Sequence, residues 1–287
     1  MDETASRLKQ LVKFHCKGAK WASPIPGVTL FRSDRPSTPV RSLYDPRICI
    51  VLQGRKEIQI ERTTIVIDPG QYLAVVLDLP ISASITAANP AEPHLAITLA
   101  LEPVAIAELT LAEVKETQAG PLRGAATAML PDDLLEPVER LIRLLDRPTD
   151  IPTLAPLLQR EITYRLLQGE LGGMLRQWAS NGSRLGRIAG VASWIKENFN
   201  EPIEISHLAT MAGMSAAAFH RAFKAATHMT PVQFRSRLRL HEARRRLSLG
   251  ERHIGNIAFD VGYHSQSQFN REYRKMFGVA PADERPR

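Results

Sequence analysis

Two sets of side chains in the C-terminal third have the chemistry to read nucleic-acid bases. Ala217, His220, Arg221 and Lys224 fall on one face of a helical stretch, and Gln266, Ser267, Gln268, Asn270, Arg271 and Lys275 lie along another. Imidazole, guanidinium and carboxamide groups match the donor and acceptor edges that base pairs show in the major groove, and a methyl group suits thymine. Each set sits in the same frame. A short apolar helix holds Leu208-Ala209 or Ile257-Ala258. Gly213 or Gly262 follows, then Ser215 or Ser265, Phe219 or Phe269, and Arg221 or Arg271.

The frame states how the readers are positioned. Glycine tolerates the positive φ of a sharp turn. Ser215 and Ser265 stand where an N-cap accepts from free backbone N–H groups. Phe219, Ala222 and Phe223 would face inward in the first copy, and Phe269, Tyr273 and Phe277 in the second. This predicts two helix-turn-helix units, over 206–227 and 254–277. One copy could be an ordinary helical hairpin with a solvated face; recurrence of Gly, Ser, Phe and Arg argues against that. Pro231 opens a further helix over 232–249. Its inner positions are Phe234, Leu238, Ala243 and Leu247, with Arg235, Arg237, Arg239 and Arg244 to Arg246 around them. Such a helix spans about 27 Å, the scale needed to hold two recognition helices one DNA turn, about 34 Å, apart.

Charge follows the same division. Residues 184–287 carry 17 Lys+Arg against 9 Asp+Glu, whereas 1–183 carry 20 against 21, so the chain's net +7 belongs to the C-terminal part. A basic region coinciding with the motifs is the footprint of a polyanionic partner. The length of 287 residues suggests two domains. No apolar run approaches the ~20 residues that span a bilayer, and the N-terminal segment is polar, so a cytoplasmic protein is expected. Cys16 and Cys49 are expected as free thiols.

Residues 1–22 read as an amphipathic helix. Short β-rich runs follow at 28–31, 48–53, 56–61, 64–67, 72–77, 81–86 and 95–101, separated by turn signals, which predicts a sandwich or barrel over about 23–101. The period then becomes helical, over 104–111, 132–145 and 153–168. Those apolar stripes could pack on the barrel, form a dimer interface, or do both. Gly169, Gly172, Gly173 and Asn181-Gly182 mark 169–183 as a hinge or linker, and a helix is expected over 185–199. Cys49, Tyr72 and His94 are candidate pocket residues, although plain core would explain each. Apolar neighbours argue against Cys49 as a reactive sensor thiol. Residues 1–183 hold only His15 and His94, with no His-x-His pair, so no metal, cofactor or catalytic residue is expected.

The C-terminal part is identified as similar to the AraC/XylS regulators. The match runs through Met214-Ser-Ala-Ala-Ala-Phe-His-Arg-Ala-Phe-Lys224, Thr230-Pro231, Arg239-Leu240 and Ala243. It continues through Ile257-Ala258, Gly262-Tyr263, Ser265, Phe269, Arg271 and Phe277-Gly-Val-Ala-Pro281. The N-terminal part resembles that family's cupin-like regulatory domain in Tyr44-Asp-Pro46, Val51-Leu-Gln-Gly-Arg-Lys56, Asp68-Pro-Gly-Gln-Tyr-Leu73 and Asp78-Leu-Pro80. The resemblance implies an α+β chain of two domains. A cupin-like β-barrel or jelly roll with C-terminal helices (1–180) would sense an effector and dimerise. An all-α domain (181–287) with two helix-turn-helix motifs joined by a long helix would bind DNA. Implied partners are promoter or operator DNA, a small-molecule effector, a second copy of the chain as a homodimer, and RNA polymerase if the protein activates. A constitutive DNA-binding protein whose barrel only dimerises, or a cupin enzyme, are the alternatives. Two departures stand out. Ala216 to Ala218 leave the first recognition helix without long side chains at its start. Glu284 precedes Arg285 where the family usually has an aromatic, so 283–287 is expected to be a frayed tail.

Overall fold

The computed structural model describes residues 2–111, 120–251 and 253–284. The chain opens with α1 (Asp2–His15), which buries Leu8 and Val12. Nine strands follow: β1 (Lys20–Ala22), β2 (Val28–Ser33), β3 (Val40–Tyr44), β4 (Arg47–Gln53), β5 (Arg55–Ile60), β6 (Thr63–Ile67), β7 (Gln71–Val75), β8 (Leu79–Ala87) and β9 (His94–Ala100). Next come α2 (Pro103–Leu111), β10 (Ala125–Met129), α3 (Asp132–Arg143), α4 (Ile151–Gln168) and α5 (Gly172–Ala179). The remaining helices are α6 (Arg184–Glu197), α7 (Ile205–Met211), α8 (Ala216–Thr227), α9 (Pro231–Ser248), α10 (Ile254–Asp260) and α11 (Gln266–Phe277).

The strands form two antiparallel sheets, one of six in the order β1-β2-β9-β4-β7-β10 and one of four in the order β3-β8-β5-β6. The expected barrel is therefore an open two-sheet sandwich, with β1, β10, β3 and β6 as edges. The chain crosses between sheets at Gly54, which adopts φ +74°; a Cβ there would sit 2.9 Å from the His94 Cα. On the large sheet, Cys49 pairs with Leu73 and Thr98, whereas Ile50 pairs with Tyr72 and Ile97. Alternation puts these two rows on opposite faces. Cys49 faces the small sheet, where the Lys56 Nζ lies 3.8 Å from its sulfur. The other face is covered by α1 and the helices beyond it.

The glycine-rich stretch 169–183 is no loose linker. It contains α5, and Leu171, Leu175 and Trp178 are buried at helical spacing. Its glycines serve close packing: a Cβ on Gly172 would collide with the Leu167 carbonyl, and one on Gly186 with that of Ser180. Burial of the three large apolar side chains outweighs the local flexibility that glycine confers. As a result one continuous core runs from Leu8 through both sheets, α3 to α6, α7 and α8, ending at Leu238 of α9. A second, separate core starts at Leu240 and takes in Ile257, Ala258, Phe269, Tyr273 and Met276. Polar ties cross from the sheets to the C-terminal helices. Lys196 Nζ meets Asp78 at 2.6 Å, Arg237 Nη2 meets Glu61 at 2.9 Å, and the Gly124 N–H donates to the Ala226 carbonyl at 2.9 Å.

Candidate nucleic-acid interface

Both helix-turn-helix units form as the residue pattern implies. In the first, Gly213 takes φ +60°, the Met214 N–H donates to the Ala209 carbonyl, and the Ala218 N–H donates to Ser215 Oγ at 3.3 Å. In the second, Gly262 takes φ +90°, the Tyr263 N–H donates to the Ala258 carbonyl, and the Gln268 N–H donates to Ser265 Oγ at 3.4 Å. The second turn holds one more residue, His264, between glycine and cap. Aromatic pairs fix each recognition helix from below. Phe219 and Phe223 pack at 5.5 Å between ring centroids, and Phe223 meets Phe234 of α9 edge-on. Phe269 and Tyr273 pack in the same way, and Tyr273 meets Phe277 at a tilt with 4.6 Å between ring centroids.

With the apolar faces buried, the expected readers are left in solvent. Ala217, His220, Arg221 and Lys224 on α8 are all exposed, as are Gln266, Ser267, Gln268, Asn270, Arg271 and Lys275 on α11. Among the described residues Arg221, Lys224 and Arg271 have no hydrogen-bond or ion-pair partner. Lys275 is set apart from the others, because it lines a small cavity with Arg237 and Glu61 facing the four-stranded sheet. Gln268 is partly committed, donating through Nε2 to Glu272 at 3.0 Å.

The arginines around the apolar face of α9 are engaged within the fold, and several of them tie α9 to other elements. Arg239 donates to the carbonyls of Phe199, Asn200 and Gly262 at 2.6, 3.1 and 2.7 Å, so it clamps the end of α6 to the second turn. Arg235 donates to the Glu201 carbonyl, Arg237 pairs with Glu61, Arg245 with Glu242, and Arg246 with Glu251 and Asp260. Arg244 pairs with Glu284, whose other oxygen accepts from the Tyr273 hydroxyl at 2.7 Å. That double bond also corrects the expectation of a frayed tail: residues 281–283 form a 3-10 turn and Glu284 is docked, while 285–287 lie outside the described residues.

Glu272 is a site residue that the sequence reading passed over. It accepts from Gln268, from the Tyr263 hydroxyl at 2.8 Å and from Ser236 at 3.1 Å, tying α11 to its turn and to α9. Burial alone would raise its pKa; hydrogen bonds from Gln268, Tyr263 and Ser236, with Arg271 nearby, hold it below the ordinary range. The signal was available in principle, since Glu272 is the one acid in a recognition helix bearing three basic residues.

The three candidate pocket residues do not share a site. Cys49 and His94 lie on the inner face of the large sheet, and Tyr72 lies on its outer face, near Leu171. Burial, then the Lys56 ammonium, pushes His94 down to about 4, so it is neutral at physiological pH, and its Nδ1 has no partner. Burial pushes Tyr72 up to about 12. Among the described residues no group of three or more His, Cys, Asp or Glu is placed to hold a metal ion, and no helix is long and apolar enough to cross a membrane.

Comparison with known proteins settles what this arrangement belongs to. The family model of the AraC-type transcriptional regulator N-terminus matches residues 24–174, more than half of the chain, and a helix-turn-helix domain model matches 208–287. The chain belongs to the AraC family of transcriptional regulators. It is similar to the transcriptional activator RhaS of Pectobacterium atrosepticum, with 34% identity over 105 residues, 37% of this chain and 38% of that protein. The chain thus spans well under half the length of that relative. It is also similar to the regulatory protein SoxS of Escherichia coli K12, with 36% identity over 100 residues, 35% of this chain but 94% of SoxS. Among solved structures, ToxT of Vibrio cholerae O395 bound to (E)-4-(8-methylnaphthalen-1-yl)but-3-enoic acid aligns over 93% of this chain and 98% of ToxT. Its TM-score is 0.60 at 11% identity, which shows a shared fold. The AraC family consists of DNA-binding regulators, not enzymes, so the cupin-enzyme alternative falls away.

Proposed function

We propose that this AraC-family chain binds promoter DNA in a sequence-specific manner, with α8 and α11 entering two successive major-groove segments. His220, Arg221, Gln268 and Arg271 read base edges, Ala217 and Ser267 make close contacts, and Lys224 neutralises phosphate. The observation that carries this reading is the pair of serine-capped helices presenting unpartnered cations, one on each side of α9. Residues 181–287 form the DNA-binding part. Residues 1–180 sense a small organic effector, form the homodimer, and set the geometry that RNA polymerase meets when the protein activates. The small acid bound to the fold neighbour ToxT supports an effector of that general size.

Selection of bound sequences from a random duplex pool, followed by titration of the winner, tests the DNA reading. Arg271→Ala is expected to weaken the selected site by about 1–3 kcal/mol and to relax one base position. An equal loss on selected and random DNA would remove Arg271 from base reading.

A further inference from the structure

A buried cation between the two sheets serves neither the DNA-facing helices nor the core that supports them. Lys56 of β5 is 7% exposed, and its ammonium sits against Cys49 of β4, with Nζ 3.8 Å from Sγ. Phe31 and Tyr44 close over it, their ring centroids 5.6 and 5.4 Å from Nζ. Among the described residues no carboxylate pairs with Lys56. A charge buried this deeply needs a counter-charge. The groups in reach are the Cys49 sulfur and the Tyr44 hydroxyl, and a thiol ionises more readily than a phenol. Burial alone would lower the Lys56 pKa; the charges of Cys49 and Tyr44, and hydrogen bonds to both, outweigh burial and raise it.

His94 of β9 completes the cluster. It stands on the face of β9 that carries Thr98, the partner of Cys49, and it feels the Lys56 charge. It is 1% exposed, and its Nδ1 has no partner. An unpartnered polar atom in a dry interior marks a place where a small polar molecule gains a hydrogen bond. The surrounding core is packed, with Val51 and Ala96 fully buried, so only a molecule of a few atoms reaches the sulfur. Tyr44, half-buried on the edge strand β3, is the cover nearest solvent. The apolar neighbours of Cys49 in sequence argue against reactivity, but the group facing it across the sandwich is a cation, and a cation favours the thiolate that oxidants attack. Cys16 has no such partner. Its sulfur donates to the Gly18 carbonyl, and burial, opposed by Arg32, raises its pKa.

We propose that Cys49 and Lys56 form a peroxide-sensitive modification site, in which oxidation of the sulfur ends in a covalent sulfur–nitrogen bond between β4 and β5. The Cys49 thiolate attacks one oxygen of hydrogen peroxide while His94 Nδ1 accepts a hydrogen bond from the peroxide, and the O–O bond breaks. The Lys56 ammonium gives a proton to the departing hydroxide, which leaves as water. Cys49 is now an uncharged sulfenic acid, so burial keeps Lys56 as the neutral amine. That amine attacks the sulfur, the S–O bond breaks, and the hydroxyl leaves as a second water with a proton from the nitrogen. The sulfur has lost two electrons and the peroxide has gained them. Thiols reverse the bond by attack at sulfur.

Peptide mapping of the full chain after treatment with hydrogen peroxide tests this, with Cys16 as the internal control. Cys49 should lose its alkylatable thiol about tenfold or more faster than Cys16. A peptide pair joining Cys49 to Lys56, lighter by two hydrogen atoms than the separate peptides, should form and should vanish with dithiothreitol. Lys56→Arg keeps the cation and removes the amine, so the pair should be lost and the sulfenic-acid trap dimedone should label Cys49 instead. Should that variant fail to fold, the map of the unsubstituted chain decides alone. Cys49 remaining a thiol, or oxidised Cys49 without a bond to Lys56 in the unsubstituted chain, would overturn the proposal.

Discussion

The two helix-turn-helix units share a frame but are held by different physics. The first is an extension of the N-terminal core: Leu208, Phe219 and Phe223 belong to the same apolar cluster as Ile50 and Leu134. Its helix ends at His228, in the left-handed region at φ +59°, where Nδ1 lies 3.2 Å from Thr63 Oγ1 on the small sheet. The second unit has a small core of its own and is positioned by polar struts, Arg239 on three carbonyls and Glu284 between Arg244 and Tyr273. The boundary falls within α9, between Leu238 and Leu240. The sandwich and α8 therefore share one packed core, whereas the core under α11 meets it only within α9. The exposed faces also differ, with α8 alanine-rich at its start and α11 carrying Gln266, Gln268, Asn270 and Arg271.

Removing an aromatic from each core gives the largest contrast. Phe223→Ala should destabilise the sandwich and first unit together by about 3–5 kcal/mol. Phe269→Ala should lower only the second unit, splitting the calorimetric transition in two. A single shared transition in both variants would erase the distinction. Acid gives the next largest effect. His241, whose ring packs edge-on against Phe277, has a folded pKa of about 4 against an ordinary 6.5. The unfolded chain therefore binds the extra proton first. The stability is present above pH 6.5 and is lost as pH falls towards 4, by up to about 3 kcal/mol. His241→Gln should remove the His241 share of that loss in denaturant titrations at the two pH values, leaving the share of His94, which is also held at about 4; an unchanged slope would mean His241 contributes none of it. The smallest effect should be the most even. Ser215→Ala and Ser265→Ala each remove one cap and should each cost about 1 kcal/mol, read by hydrogen exchange in α8 and α11. A large inequality would show that the extra turn residue His264 changes the cap's role.

Much of this was legible in the residues. Ser215, Ser265, Gly213 and Gly262 marked their turns correctly, and Pro231 opened α9 with the Thr230–Gln233 capping box. Elements were missed where the signal was weak. β3 is an edge strand with no fully buried residue and with Arg41 and Ser42 towards its middle, and β10 is three alanines, a threonine and a methionine. Segment 169–183 was misread because local glycine content says nothing about what Leu175 and Trp178 bury against. The engagements of Arg237, Arg239 and Arg244 were not legible either: their partners Glu61, Phe199 and Glu284 lie 40 or more positions away, and charge patterning cannot separate a strut from a solvated cation. Cys49, Tyr72 and His94 were grouped by residue type, although strand alternation sends Tyr72 to the other face.

On the proposed function, one chain reads two groove segments with two unequal helices. Hydroxyl-radical footprinting of the selected operator tests it most directly. Two protected segments about 10 base pairs apart are predicted. A His220→Ala/Arg221→Ala variant should lose one segment and a Gln268→Ala/Arg271→Ala variant the other. A single protected segment, or uniform loss of both in either variant, would contradict the account.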